Sequence, residues 1–565
     1  MKHGIIVLLI VAVCIGVSWG AYQTTASQEP ALSRYVPSGA LLYLQAKDFS
    51  ILLSDWDNSG EKQHWLKTDN YEVFSRSRLF LRLKDANTEF SKAAGIPTDA
   101  NLLRQVAGKQ SALAIFDIGK LEFLYITRVP SANSMQSALW QTRSQFETRS
   151  AAGVTFFLRR DPESQREVAF AVTNDYLILA TREDLLAGAL QLIAGGDARS
   201  IETEPWWSQS VAAAGKEGDL RMVLNLDKIV PSPYFRSYWV QQNITDMKQY
   251  TAATSDLVRS GNEYREERVL LRRTPATGGA SYGAGPAAVA DIARLIPTQA
   301  GVYEAKANPA PADCLALLET KLLAPHLGPA PAEKLAPQVQ LTSGETGAGS
   351  DLETRIDRLP VRASVAVDNV AAFKDLLAKN PASAVLQVQS SELDKDGVFV
   401  RIHSAVALLG QSDWNESAVR SSLADFVRPS ITTGELGLEW QKNAGYIELN
   451  GLWTLSVAVH GKYLLISDNA VLLTGMLANA NQKTTRKPAI FAAGFDHQRE
   501  KDNFARLAGL LDRPAGRSGA GSSPDFFFGN MGSLSSTLSG LSSENIVVCD
   551  MGDKVNQTVT YQWGR

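Results

Sequence analysis

The chain has 565 residues, which is too many for one hydrophobic core, so two or more domains are expected. Hydrophobic residues make up 45% and charged residues 20% of the sequence, and these values exclude a largely disordered chain. The formal net charge is -3, and no run of five like charges occurs. This argues against nucleic acid as a partner, because a nucleic-acid surface needs concentrated positive charge.

The first 21 residues have the order of an export signal. Lys2 and His3 precede an apolar run from Ile5 to Val17, and small residues lie at its end, between Ser18 and Ala21. This order is typical of a secretory signal, although about 17 apolar residues is also the lower limit for a membrane anchor. We expect either a cleaved signal or a retained anchor over residues 1–21, followed by a linker over residues 22–30.

Apolar runs, turns and helical patterns alternate through residues 31–273. Two runs flank Asp117-Ile118-Gly119, which is typical of a β-hairpin. The predicted strands are Ser111 to Phe116, Lys120 to Val129, Val154 to Leu158, Glu167 to Val172 and Tyr176 to Ala180. The predicted helices are Phe74 to Ala93, Ser134 to Phe146, Glu183 to Ile193 and Tyr234 to Met247. This series predicts an α+β fold, an antiparallel sheet with helices packed on one face.

The second part of the chain repeats landmarks of the first part in the same order. The clearest matches pair Arg34 to Tyr43 with Arg294 to Tyr303, and Tyr176 to Leu190 with Tyr463 to Leu477. Weaker matches pair Met222 to Asp227 with Phe491 to Asp496, and Arg268 to Arg273 with Thr558 to Arg565. We therefore expect two diverged copies of one α+β unit, over residues 31–273 and 287–565, joined by a Gly/Ala-rich linker over residues 274–286. The alternative is two unrelated domains that use the same common turn residues between strands and helices.

Motifs for metal, phosphate or nucleophilic chemistry are scarce. The six histidines and three cysteines show no metal-binding spacing, so neither a metal site nor a cofactor is predicted. The glycine-rich segments lack the Lys-Ser/Thr pair of a phosphate-binding loop. Outside the leader, Cys314 and Cys549 form either one disulfide or two separate buried thiols.

Two aromatic clusters are the candidate contact residues. Trp206 and Trp207 follow an acidic turn, and Phe526, Phe527 and Phe528 follow a Gly/Ser tract. If exposed, either cluster offers a contact surface for a partner protein, lipid headgroups or an apolar ligand. If buried, the same rings belong to the core.

Three stretches carry a resemblance to a known family: Val36 to Ala40, Ser75 to Leu83 and Tyr176 to Leu190. They resemble an uncharacterised family of large bacterial envelope proteins. The resemblance implies an exported, duplicated α+β body and carries over no functional residue. We therefore expect a non-enzymatic protein of the periplasm or cell envelope that binds a partner protein or an apolar ligand in the cleft between its two units. The alternative is a hydrolase acting on envelope material, with a site that only the fold assembles.

Overall fold

The structure is a computed structural model that describes residues 30–67, 71, 75–76, 78–233, 247–275, 285–323, 367–393, 400–431, 439–484, 486–511 and 540–563. The leader at 1–21, most of both linkers, the predicted helix from Tyr234 as far as residue 246, and Phe526 to Phe528 lie outside the described residues. None of the described helices is long and apolar enough to cross a membrane.

The described strands, in chain order, are β1 Leu42–Ala46, β2 Ser111–Asp117, β3 Glu122–Arg128, β4 Glu147–Ala151, β5 Val154–Arg160, β6 Glu167–Thr173, β7 Tyr176–Ala180, β8 Leu220–Asn225, β9 Tyr250–Ser260, β10 Glu263–Arg272, β11 Val302–Ala307, β12 Ala382–Leu393, β13 Val400–Gly410, β14 Glu439–Asn443, β15 Tyr446–Asn450, β16 Thr454–His460, β17 Tyr463–Ser467, β18 Phe491–Asp496, β19 Leu541–Asp550 and β20 Lys554–Trp563.

The described α-helices are α1 Phe49–Asn58, α2 Gly60–Trp65, α3 Arg78–Ala94, α4 Ala100–Val106, α5 Ser131–Ser134, α6 Ala138–Gln141, α7 Glu183–Ile193, α8 Pro205–Ala213, α9 Leu226–Ile229, α10 Gly285–Ile292, α11 Pro311–Leu318, α12 Val367–Lys379, α13 Glu416–Ile431, α14 Ala470–Asn479 and α15 His497–Leu511. Short 3₁₀ segments lie at Leu32–Tyr35, Arg143–Gln145, Ile201–Thr203 and Ala293–Leu295, and a π-helical turn lies at Glu319–Leu323. The predicted helix from Ser134 to Phe146 is therefore broken into short pieces, whereas the helix over Glu183–Ile193 forms as expected.

All the described strands belong to one antiparallel sheet of 20 strands, which confirms an α+β fold. Successive pairings run β4-β5-β6-β7-β3-β2-β1-β8-β9-β10 through the first half. They continue β20-β19-β18-β11-β12-β13-β17-β16-β15-β14 through the second half. Read from either edge towards the middle, the two halves thus have the same order of strands.

The separate sheets expected from the repeat are not observed, because β10 and β20 join the two halves. These strands pair antiparallel from Glu263 opposite Gln562 to Leu271 opposite Lys554. Each half ends in a long hairpin, and the outer strand of such a hairpin would expose a row of unpaired backbone groups. The pairing of β10 with β20 satisfies these groups, which gives a physical reason for the single sheet.

Helices cover both faces of the sheet, so the prediction that they pack on one face is wrong. In β6, Val168 and Phe170 pack in a cluster with residues of α3 and α4, whereas Ala169 and Ala171 pack in the cluster of α7 and α8. In the second half, Val406 and Leu408 face α11, α12 and α13, whereas their neighbours in β13 face α10 and α14. The reason is that the central strands are apolar at successive positions, so both faces need cover.

Candidate apolar binding site

A cavity of about 720 Å³ lies in the first half, between the sheet and helices α3 and α4. The sheet contributes apolar and aromatic side chains from four strands: Leu44, Leu113, Ile115, Phe123, Tyr125 and Leu179. The helices contribute Leu83, Ala86, Phe90, Leu102, Leu103 and Val106. A concave, predominantly apolar site of this size is typical of small-molecule binding sites, which span about 300–1,000 Å³.

Strand β2 shows how the sequence places large side chains on the cavity side. Leu113 and Ile115 line the cavity and are half-buried, while Ala114 between them is fully buried in the cluster on the opposite face. Successive side chains of a strand point to opposite faces, so the alternation of alanine with larger residues gives a closely packed face and a face with room.

Asp99 and Tyr125, two polar residues of the cavity wall, form hydrogen bonds to backbone groups of the protein. Asp99 accepts hydrogen bonds from the backbone N–H groups of Asn101 and Leu102, and these bonds cap α4 and lower the pKa of Asp99. The Tyr125 hydroxyl donates to the carbonyl of Val106 at 2.8 Å, and burial raises the pKa of this tyrosine. The lining therefore offers mainly apolar surface.

The mouth of the cavity lies beside two leucines that line it and also reach solvent. Leu83 of α3 is 47% exposed and Leu103 of α4 is 39% exposed. Exposed apolar side chains that border a concave apolar surface are typical of ligand-binding grooves.

The apolar lining of the cavity is not repeated at three matching strand positions of the second half. Leu113 pairs with Leu44 on one side and Tyr125 on the other. The corresponding position in the second half is Gln387, which pairs with Glu304 and Val406. By the same register, Gln389 replaces Ile115 and Ser404 replaces Phe123. The strand order alone therefore does not require an apolar surface here.

Arg166 is a charged residue in the cavity wall. Its side chain is 11% exposed, and its guanidinium donates to Glu89 of α3 at 2.6 Å and to the carbonyl of Lys120. These bonds tie the turn between β5 and β6 to α3 and to the turn between β2 and β3. A charge-assisted bond in a partly desolvated place is stronger than the same bond in water.

The tryptophan pair is placed in the core, on the opposite face of the sheet from the cavity. Trp207 is 6% exposed and packs edge-on against Tyr43, with ring centroids 4.8 Å apart. Trp206 is half-buried, and its ring nitrogen donates to Glu204 at 3.2 Å. Trp207 is therefore a core residue and Trp206 stays partly exposed, while the phenylalanines at 526–528 lie outside the described residues.

Cys314 and Cys549 are both free thiols, so the disulfide alternative is not observed. Cys314 packs in the cluster that contains Val406, whereas Cys549 packs against the cluster that contains Ala405. Adjacent strand residues point to opposite faces, so the sheet itself separates the two thiols.

His403 bears on the hydrolase alternative. Its Nε2 lies 2.8 Å from Glu392 and its Nδ1 lies 3.7 Å from Asp468. Both ring nitrogens thus face carboxylates, which leaves neither placed to take a proton from a serine. Among the residues that the structure describes, no group of three His, Cys, Asp or Glu side chains could hold a metal ion.

The residues that line the cavity were not among the contact residues proposed from the sequence. The cavity also lies within the first half and not in the expected cleft between the two units. A signal was present in the aligned halves: β2 has Leu113 and Ile115 where β12 has Gln387 and Gln389. A change from amide to leucine or isoleucine at matched, half-buried positions marks a surface that differs between the halves.

No family model matches the sequence, and no curated protein is significantly similar to it. Among solved structures, the chain is similar to "Structure of crystal form I of TP0453", with 13% identity over 43% of this chain and 79% of that chain, and a TM-score of 0.25. It is also similar to "Structure of crystal form III of TP0453", with 12% identity over 44% of this chain and 81% of that chain, and a TM-score of 0.24. TM-scores of this size carry no argument about fold or function.

Proposed function

We propose that this protein is a non-enzymatic binding protein of the bacterial cell envelope that holds an apolar ligand in the cavity of its first half. The observation that carries the proposal is the cavity of about 720 Å³, which is lined by leucine, isoleucine and aromatic side chains and opens beside Leu83 and Leu103. A concave site favours a small ligand over a partner protein, because protein interfaces are broad surfaces of about 800 Å² per partner.

The envelope location rests on sequence. The order of residues 1–21 is that of an export signal or anchor, and the resemblance to bacterial envelope proteins agrees with it. We also propose that the two halves descend from one duplicated unit. The shared strand order and the aligned landmarks support this origin.

The test uses the purified full-length chain and hexadecanol, an uncharged ligand with one hydrocarbon chain. Binding is measured by displacement of a fluorescent apolar probe and by native mass spectrometry. We expect one hexadecanol per chain. Leu113→Trp should fill the cavity and weaken binding by about tenfold or more, which corresponds to about 1.4 kcal/mol.

Gln387→Trp is the matched control, because it adds the same ring at the corresponding register of the second half. Leu103→Asp at the mouth is a second variant that changes an exposed side chain, and Leu81→Asp is its control on α3 outside the cavity wall. The proposal fails if wild-type protein binds no hexadecanol, or if the cavity variants and their controls bind it equally.

A further inference from the structure

A second, polar pocket of about 880 Å³ adjoins the apolar cavity. The two share Arg166 and Thr181 in their walls. Apart from these two, the polar pocket is lined by side chains that include Arg82, Glu89, Lys120, Glu122, Glu167, Arg182, Glu183 and Asp184. An apolar compartment beside a charged one matches the two ends of an amphiphile.

The carboxylates of this polar pocket are already paired with arginines. The ion pairs are Glu89 with Arg166, Glu122 and Asp184 with Arg182, Glu167 with Arg160, and Glu183 with Arg149. A further anion therefore meets carboxylates that each contact an arginine, with Arg182 shared by Glu122 and Asp184.

Two cations of the same pocket have no carboxylate partner among the described residues. Arg82 donates to the carbonyl of Gly119 at 2.8 Å, and the acidic side chain of this turn, Asp117, accepts from the backbone N–H of Lys120. Lys120 is exposed, and its ammonium group contacts no described acidic side chain. Since Arg82 binds the residue next to Lys120, both charges lie at the turn between β2 and β3.

This turn also links the polar pocket to the apolar cavity. Leu121 lines the apolar cavity, whereas its neighbour Lys120 lines the polar pocket. Leu121 has a φ of 51°, a left-handed conformation that is costly for a leucine and is found where surrounding structure holds it. The strained turn thus presents an apolar side chain to one compartment and a cation to the other.

We infer that the ligand is an anionic amphiphile with a single hydrocarbon chain, whose carboxylate or phosphate is bound by Arg82 and Lys120 while its chain fills the apolar cavity. This inference rests on the proposed function and adds the chemistry of the head group. Arg166 marks the boundary between the two compartments, because its guanidinium is held by Glu89 and the carbonyl of Lys120.

The test compares ligands that have similar chains and different heads: hexadecanol, palmitate and palmitoyl lysophosphatidic acid. At pH 8 the heads of the last two are ionised. In wild-type protein we expect at least one anionic ligand to bind about tenfold or more tightly than hexadecanol, as a charge-assisted contact predicts. This advantage should shrink as salt is added. The preferred anion, palmitate or the lysophospholipid, then identifies the head as carboxylate or phosphate.

The double variant Arg82→Gln with Lys120→Gln should lose the advantage of the anionic ligand and keep its affinity for hexadecanol. Lys84→Gln with Lys92→Gln is the matched control, because it removes two positive charges from α3 outside both compartments. Equal binding of all three ligands by wild-type protein would overturn the inference and leave the proposed function intact. The inference would also be overturned if the double variant still bound the anionic ligand more tightly than hexadecanol. Failure of hexadecanol to bind to wild-type protein would instead overturn the proposed function.

Discussion

Gly475 of α14 lies directly against Pro297: a Cβ atom on the glycine would lie 2.9 Å from Cβ of the proline. The first half has the same contact, since a Cβ on Gly188 of α7 would lie 3.0 Å from Cγ of Pro37. Each proline belongs to the turn before the first strand of its half, so the glycine lets a helix approach that turn closely.

Gly475→Ala should lower the free energy of unfolding by about 1 kcal/mol. Overpacking costs about 1–3 kcal/mol, and alanine recovers about 1 kcal/mol of helix propensity over glycine. Gly188→Ala should cost less, because Gly475 also faces Gln299 Oε1 at 3.0 Å whereas Gly188 meets only the proline ring. Guanidinium unfolding followed by circular dichroism measures both changes. Thr474→Ala on the exposed side of α14 is the control, and an increase in stability for Gly475→Ala would contradict the prediction.

Asp256→Asn should destabilise the fold by about 3–5 kcal/mol, because it leaves a buried arginine without its counter-charge. Arg221 donates to both carboxylate oxygens of Asp256, at 2.7 and 2.8 Å, and the two side chains are 9% and 3% exposed. The pair joins β8 to β9 across the sheet. Glu147→Gln, which removes a 71% exposed partner of Arg149, should change stability by less than about 1 kcal/mol in the same denaturation assay. Similar losses in both variants would count against a buried pair.

His403 should make the stability of the protein depend on pH. Its contacts with Asp468 and then Glu392 raise the pKa of the imidazole above its ordinary value. The folded protein therefore holds this proton more tightly than the unfolded chain does. The resulting stabilisation is complete below the unfolded pKa of about 6.5 and is lost as the pH rises through the raised folded pKa.

The difference in unfolding free energy between wild type and His403→Gln should thus be larger at pH 5.5 than at pH 9. The share that comes from Glu392 should stay below about 1 kcal/mol, because Glu392 is 58% exposed and exposed pairs are weak, whereas Asp468 is 3% exposed. His460→Gln is the control, since His460 is exposed. A difference in unfolding free energy that grows with pH would contradict the predicted pH dependence.

Cys314 should resist alkylation in the folded protein. Burial raises the pKa of its thiol to about 11, so very little of the reactive thiolate is present at pH 8. Burial also raises the pKa of Cys549, but this thiol is only half-buried and should react first with iodoacetamide. Mass spectrometry of peptides after timed labelling, with and without denaturant, gives both rates. Equal rates in the folded protein, or a peptide linked through Cys314 and Cys549, would refute this prediction.

Local patterns in the sequence predicted single elements and neighbouring pairs. The turn at Asp117 to Gly119 correctly predicted the hairpin of β2 and β3, and the strand at Tyr176–Ala180 and helix at Glu183–Ile193 have the predicted bounds. These features depend on side-chain periodicity and turn residues within a few positions of one another, so the sequence alone determines them.

Only the tertiary structure decided how the halves join and where the cavity lies. Arg268 of β10 bonds to Gln557 of β20, 289 positions away, and no local pattern specifies which edges will pair. The cavity likewise needs Leu44, Leu83 and Leu113 from three separate elements. Periodicity predicts that such residues face a core, but only the spacing between packed helices and sheet determines whether their side chains fill that core or leave room for a ligand.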